Sequence, residues 1–170
     1  MKLTSAEAAK MLRKLNEEQA TIKQKENKSA VFIAAIGEDI ESVRPVYQYE
    51  DIQNQLAVLE EKVRKVKHAI NMFNLTTVVP GFNMTVDQML VYIPQLNERK
   101  NKLTRMAANL PKERVNASGY GVKTIVEYKY ANYDIARVEA DLTAATNELA
   151  KAQTALDVIN NTATLEIELD

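Results

Sequence analysis

The chain contains no cysteine. Disulfides, thiolate zinc sites and cysteine nucleophiles are therefore excluded, and the composition fits a reducing compartment. Glycine and proline are scarce, with 4 of each in 170 residues. That scarcity argues against a long disordered tail and against a sandwich of many short strands. Histidine is nearly absent as well, since His68 is the single one. A metal site or a histidine-based triad needs further partners, so His68 is expected to be a solvated helix residue. An excess of charge is also missing. With a formal charge of −1, no net field draws the chain toward nucleic acid or acidic membranes. The longest apolar run, Ala30 to Ile36, is too short to span a bilayer as a helix. The opening stretch from Met1 to Leu12 lacks the continuous apolar core of a signal peptide. These absences point to a soluble cytoplasmic protein with no membrane span, no nucleic-acid partner, no cofactor and no metal.

What is present is helical periodicity. Hydrophobic residues make up 46% of the chain and charged residues 26%, which suits one globular domain over residues 1–170 with a real core. Between Tyr49 and Phe73 the apolar residues Ile52, Leu56, Leu59, Val63, Val66, Ile70 and Phe73 recur at spacings of 4 and 3. That alternation keeps them on one narrow stripe of an α-helix. A lone helix cannot hide such a stripe, so a partner helix is required. A second seam of the same kind, Ile135, Val138, Leu142, Ala145, Leu149, Ala152, Leu156 and Ile159, predicts a last helix from about Tyr130 to Asn160. Ala145 and Ala152 would let a facing helix approach closely.

Two further helices are marked at their starts. Thr4 followed by Glu7, and Thr85 followed by Gln88, have the spacing of a capping box, in which a hydroxyl and a carboxylate or amide satisfy each other's backbone N–H groups. The first predicts a helix to about Asn27 with the thin stripe Ala8, Leu12, Leu15, Gln19 and Ile22. The second predicts a helix to about Leu110. Pro94 lies inside it, and Lys100 occupies a stripe position where an apolar residue belongs. A polar residue in a seam can set register and subunit number. Lys100 is therefore expected to meet an acid from another helix or another subunit.

Three stretches read as strands: Ser29 to Ile36, with its β-formers Val31, Phe32 and Ile33; Val122 to Tyr128, by alternation; and Ala163 to Leu169, apolar on one face and acidic on the other. They are expected to form one small sheet, with the terminal strand offering an unpaired edge. The expected fold is mainly α, an antiparallel bundle of about four helices, two of them long and coiled-coil-like, with a small sheet of two or three short strands.

Short motifs add a resemblance. Ile70-Asn71-x-x-Asn74-x-Thr76-Thr77, Thr85-x-x-Gln88-Met89-Leu90 and the terminal Asn160-x-Thr162-x-Thr164-Leu165-Glu166 resemble the septicolysin-like family of small bacterial helical proteins. The resemblance implies a bundle of long helices with a minor β element, assembled as a homo-oligomer. The family name points to a cytolysin, and this chain has no cysteine to activate.

The remaining polar groups suit structural roles. Glu60 and Glu61 stand four residues before Arg64 and Lys65, in the favourable order for surface ion pairs. Arg99, Lys102 and Arg105 are the nearest approach to a phosphate-binding face. Gly119-Tyr120-Gly121 leads into a predicted strand, whereas phosphate loops lead into a helix. The tyrosines, among them Tyr128, Tyr130 and Tyr133, are expected where helix meets sheet, with hydroxyls at the rim. No acid–base or nucleophile set of the kind an enzyme needs is apparent. The expected function is that of a non-enzymatic homo-oligomeric scaffold. Its interaction residues are Ile52, Leu56, Leu59, Val63, Val66, Ile70, Lys100, Leu142, Leu149 and Leu156. A toxin-like or membrane-active role and a small-molecule or nucleotide-binding role are the alternatives.

Overall fold

The structure, a computed structural model, describes residues 1–115 and 126–169. Gly119-Tyr120-Gly121 and the first part of the second predicted strand lie outside the described residues. The element order is β1 (Lys2–Thr4), α1 (Ser5–Ser29), α2 (Ile40–Val43), α3 (Tyr49–Thr76), β2 (Val78–Val79), β3 (Met84–Thr85), α4 (Val86–Ala107), β4 (Lys112–Arg114), β5 (Tyr128–Tyr130), α5 (Ile135–Thr162) and β6 (Thr164–Glu166). The chain is thus mainly helical, with five helices and small antiparallel ribbons among the described residues. It divides into two compact units, Met1–Thr77 with Val158–Asp170, and Val78–Asp157.

In the first unit α1 packs along α3. Hydrogen bonds from Gln19 to Glu60 and from Gln53 to Glu26 fix the two as antiparallel, because the residue number rises on one helix as it falls on the other. The stripe read from the sequence is the face turned inward. Leu56, Leu59, Val66 and Phe73 are buried, and Ile52, Val63 and Ile70 are half-buried. From α1, Ala8 and Leu15 are buried. The N-terminus of α1 is closed as the spacing predicts. Glu7 N–H donates to the Thr4 hydroxyl at 3.2 Å, and Thr4 N–H donates to the Glu7 carboxylate at 2.8 Å. The Thr4 N–H first, and then the Thr4 hydroxyl donating to the same carboxylate at 3.0 Å, hold the Glu7 carboxyl below its ordinary range.

The same unit carries an antiparallel ribbon of β1 with β6, with Leu3 opposite Leu165. Met1 extends it, since Ile167 N–H donates to the Met1 carbonyl at 2.9 Å. Leu165 and Ile167 are buried, as alternation along the terminal segment predicts. The terminal strand is thus paired with β1 on one side of a two-stranded ribbon.

In the second unit β2 and β3 form a tight ribbon around Pro80 and Gly81, where Gly81 (φ 85°) and Asn83 (φ 51°) take the left-handed conformation. Glycine adopts that region at no steric cost, and asparagine tolerates it. Thr85 then caps α4, with both halves of the box made to Gln88 at 3.3 and 2.9 Å. Pro94 sits inside α4, on an exposed position. Leu103 of α4 packs with Val138 and Ala145 of α5, flanked by Met106, Ala107, Tyr133 and Leu142.

Several expectations are corrected. Ser29 closes α1, and Ala30 to Ala35 carries no strand. β-branched side chains favour an extended chain, but a strand exists only where a neighbour accepts its ladder bonds, and the described residues supply none there. The strands do not share a sheet. They form three separate ribbons, β1–β6, β2–β3 and β4–β5. The fifth helix, α2, is one turn started by Asp39, whose carboxylate accepts the Glu41 N–H at 3.2 Å. It stops before Pro45, with Arg44 extended, because the residue before proline is displaced from the helical region. Helix α4 ends at Ala107, not Leu110, and α5 starts at Ile135, not Tyr130. Tyr130 is drawn into β5, and Asp134 accepts the N–H of Ala136 at 2.9 Å to start α5.

Met89 is fully buried, whereas its neighbour Leu90 is 49% exposed. Met89→Ala should lower unfolding stability by roughly 2–5 kcal/mol, and Leu90→Ala by no more than about 0.5 kcal/mol, in urea denaturation. Equal effects at the two positions would contradict the orientation of α4.

Candidate functional site

The predicted interaction residues form two sets of inward-facing side chains, one in each unit. On α3 they are Ile52, Leu56, Leu59, Val63, Val66 and Ile70, described above. On α5, Leu149 and Leu156 are buried and Leu142 is half-buried; Val138, Ala145 and Ala152 on the same seam are also buried. Lys100 is half-buried on α4. Among the described residues no carboxylate pairs with its ammonium. The acid expected opposite Lys100 is therefore not supplied by those residues.

The outer margins of the α1–α3 pair are partly apolar. One shallow depression of about 510 Å³ is lined by Ala9, Leu12, Ala20 and Ile70, with Arg13, Asn16 and Glu17 around it. Another, of about 350 Å³, is lined by Ile22, Val58 and Leu59 with Glu18, Asn54, Gln55 and Lys62. In the second unit a more polar depression of about 400 Å³ lies on α4, lined by Gln95, Glu98, Arg99, Lys102 and Arg105. Gln95, Glu98, Lys102 and Arg105 stand three or four residues apart, with Arg99 next to Glu98, so one side of the helix carries all five.

Polar clasps complete the first unit. Glu60 was expected to pair with Arg64. Instead it reaches α1, accepting from Gln19 Nε2 at 3.0 Å and lying 3.9 Å from Lys23 Nζ. Glu61 does pair with Lys65, at 3.0 Å. Glu26 is the acceptor that ties the connector to the helices, taking the Tyr47 hydroxyl at 3.1 Å and Gln53 Nε2 at 2.8 Å. Desolvation first, and then the Glu26 carboxylate, push the Tyr47 hydroxyl above its ordinary range.

In the second unit Tyr92 donates to Glu148 at 3.3 Å, and desolvation and that carboxylate raise its hydroxyl likewise. Tyr133 behaves as the sequence suggests. Its hydroxyl donates to the Met106 carbonyl at 2.9 Å and accepts from Asn109 Nδ2 at 2.6 Å, closing the end of α4. Tyr128 and Tyr130 stand exposed on β5, with the Lys112 ammonium 4.2 and 5.6 Å from their ring centres. His68 is exposed on α3, as expected. Sequence reasoning missed Glu26, Tyr92, Asn109 and Glu148. Their partners lie 21 to 56 residues away, and no local pattern announces such pairs.

Among the described residues no group of three or more histidine, aspartate or glutamate side chains is placed to hold a metal ion. No described helix is long and apolar enough to cross a membrane.

No family model matches the chain, and no curated protein is similar to it. The septicolysin-like resemblance accordingly rests on the short motifs alone. Among solved structures, the chain is similar to a functionally unknown conserved protein from Corynebacterium diphtheriae. The TM-score is 0.62 at 16% identity, over 98% of this chain and 100% of that one. At that identity the likeness concerns the fold.

The folded-state hydroxyl of Tyr47 is raised, so the folded protein holds this proton more tightly than the unfolded chain does. Its contribution is complete below the ordinary value of 10.0 and is lost as pH rises through the raised value. In a spectrophotometric titration Tyr47 should ionise above pH 10.0. Glu26→Gln should move it down only part of the way, because desolvation, the larger cause, remains. A return to the ordinary value in that variant would contradict this ranking.

Proposed function

We propose that this chain is a non-enzymatic interaction protein that assembles with copies of itself. The observation that carries the reading is the distribution of apolar side chains. Among the described residues 18 apolar side chains are buried, three of them alanines, while 20 large apolar side chains are exposed. Single exposed apolar residues are ordinary, but contiguous ones mark places where another molecule docks. Here they cluster. Val31, Phe32, Ile33, Ile36 and Ile40 crowd the connector after α1, and Val58 lines the depression beside Ile22 and Leu59.

Self-assembly would cover these surfaces and give Lys100 the carboxylate it lacks among the described residues. Sedimentation equilibrium should return a mass that is a multiple of 19.1 kDa at micromolar concentration. Val58→Glu, at an exposed position, should reduce that mass without loss of helical circular dichroism, and Lys100→Leu should change the subunit number. A mass of one chain at every concentration would overturn the reading.

A second reading has one observation in its favour. Arg99, Lys102 and Arg105 border a common depression with Gln95, and guanidinium groups suit phosphate. Binding at this place would stabilise the folded state by mass action. Nucleoside phosphates should then raise the melting temperature by several degrees, and Arg99→Ala with Lys102→Ala should abolish the rise. No shift at millimolar ligand would remove this alternative.

A further inference from the structure

Within the connector after α1, Val31 to Ala35 has a strand's β-forming side chains and a strand's alternation in degree of exposure. Val31 is 80% and Ile33 94% exposed; Phe32, between them, is 38% exposed, and Ala34 is half-buried. More and less exposed positions thus alternate from Val31 to Ala35 with the period of two that a strand imposes, while Ile36, 108% exposed, lies outside the pattern. Phe32 is held from the other side by the Arg44 guanidinium, 5.6 Å from its ring centre. Among the described residues, the backbone N–H and C=O groups of Val31 to Ala34 have no partner. The next N–H, that of Ala35, is already given to the Glu38 carboxylate at 2.9 Å.

We propose that Val31–Ala35 pairs antiparallel with the same segment of a second copy, about a two-fold axis through Ile33. This rests on the self-assembly reading above and names its contact. An isologous antiparallel pair must be centred on a residue, since only then do the two copies turn the same side chains to the same face. Centring on Ile33 sets Phe32 opposite Ala34 and Val31 opposite Ala35, so these two large side chains each meet a small one, and Ile33 meets its own copy.

The commitment of the Ala35 N–H to Glu38 decides which residues bond. Phe32 and Ala34 exchange the ladder hydrogen bonds, and the two copies of Ile33 become the closely spaced, non-bonded pair, with Cα atoms about 4.5 Å apart. Charge fixes the direction. The flank before the segment carries Lys25 and Lys28, and the flank after it carries Glu38 and Asp39, all exposed, whereas Lys23 lies by Glu60 and Glu41 is paired with Arg44 at 2.8 Å. Antiparallel pairing lays the basic flank of one copy beside the acidic flank of the other, whereas parallel pairing opposes like charges.

The absence of cysteine gives a clean test. Ile33→Cys should yield a covalent dimer on mild oxidation, because a Cα separation of about 4.5 Å lies within disulfide range. Val31→Cys should cross-link at least ~tenfold more slowly, since its two copies would stand roughly 14 Å apart. Ala34→Pro removes an N–H that the pairing needs and should lower the mass in solution while helical circular dichroism is unchanged. A multimer that persists in Ala34→Pro, with Ile33→Cys cross-linking no faster than Val31→Cys, would overturn this contact and leave self-assembly standing. A single-chain mass at every concentration would overturn both.

Discussion

A helix can hide only the stripe it turns toward a neighbour, and two paired helices still present their outer margins to solvent. That constraint governs this protein. α1 and α3 lie antiparallel, and the regular stripe of α3 is the face that is buried. Leu56, Leu59 and Val66 are hidden, while Val58, two residues from one of them and one from the other, is exposed. The same constraint explains why polar side chains tie the pair. Glu60 and Glu26 receive amides and a hydroxyl across the gap and so fix how far one rod slides along the other.

The helical seams were legible because burial imposes a period on the chain and the period survives in the order of residues. Both capping boxes were legible for a similar reason, since Thr4 with Glu7 and Thr85 with Gln88 act within one turn. Partners distant in sequence were not legible. Glu60 has Arg64 four residues away and yet turns to Gln19 and Lys23, because the helix beside it offers an amide at 3.0 Å. The strands were read by composition, which reports how well a residue fits a pleated surface but not whether a neighbour exists. Leu165 and Ile167 find one in the segment from Met1 to Thr4. Val31 to Ala34 find none among the described residues. The interaction residues were thus found as a buried stripe, while the exposed connector, with its fully turned-out Ile33, was read as part of a sheet.

The functional reading follows from what such a chain leaves over. It leaves a depression edged by arginines and lysine on α4, a hairpin with partly apolar margins, and an exposed connector of β-formers. The likeness to a solved bacterial protein of unknown function extends over nearly the whole chain and concerns the arrangement of elements. It leaves the reading to rest on the side chains of this molecule.

The ribbon of β1 with β6 joins residues separated by more than 160 positions, as the contact of the Met1 amine with the Ile167 carbonyl shows. A ribosome delivers Lys2–Thr4 early and Thr164–Glu166 late. The first unit, which takes in both, therefore cannot be completed until residues near 167 have left the exit tunnel, whereas Val78–Asp157 is continuous and available sooner. During synthesis β1 therefore stays without its β6 partner for the whole time the second unit is being made.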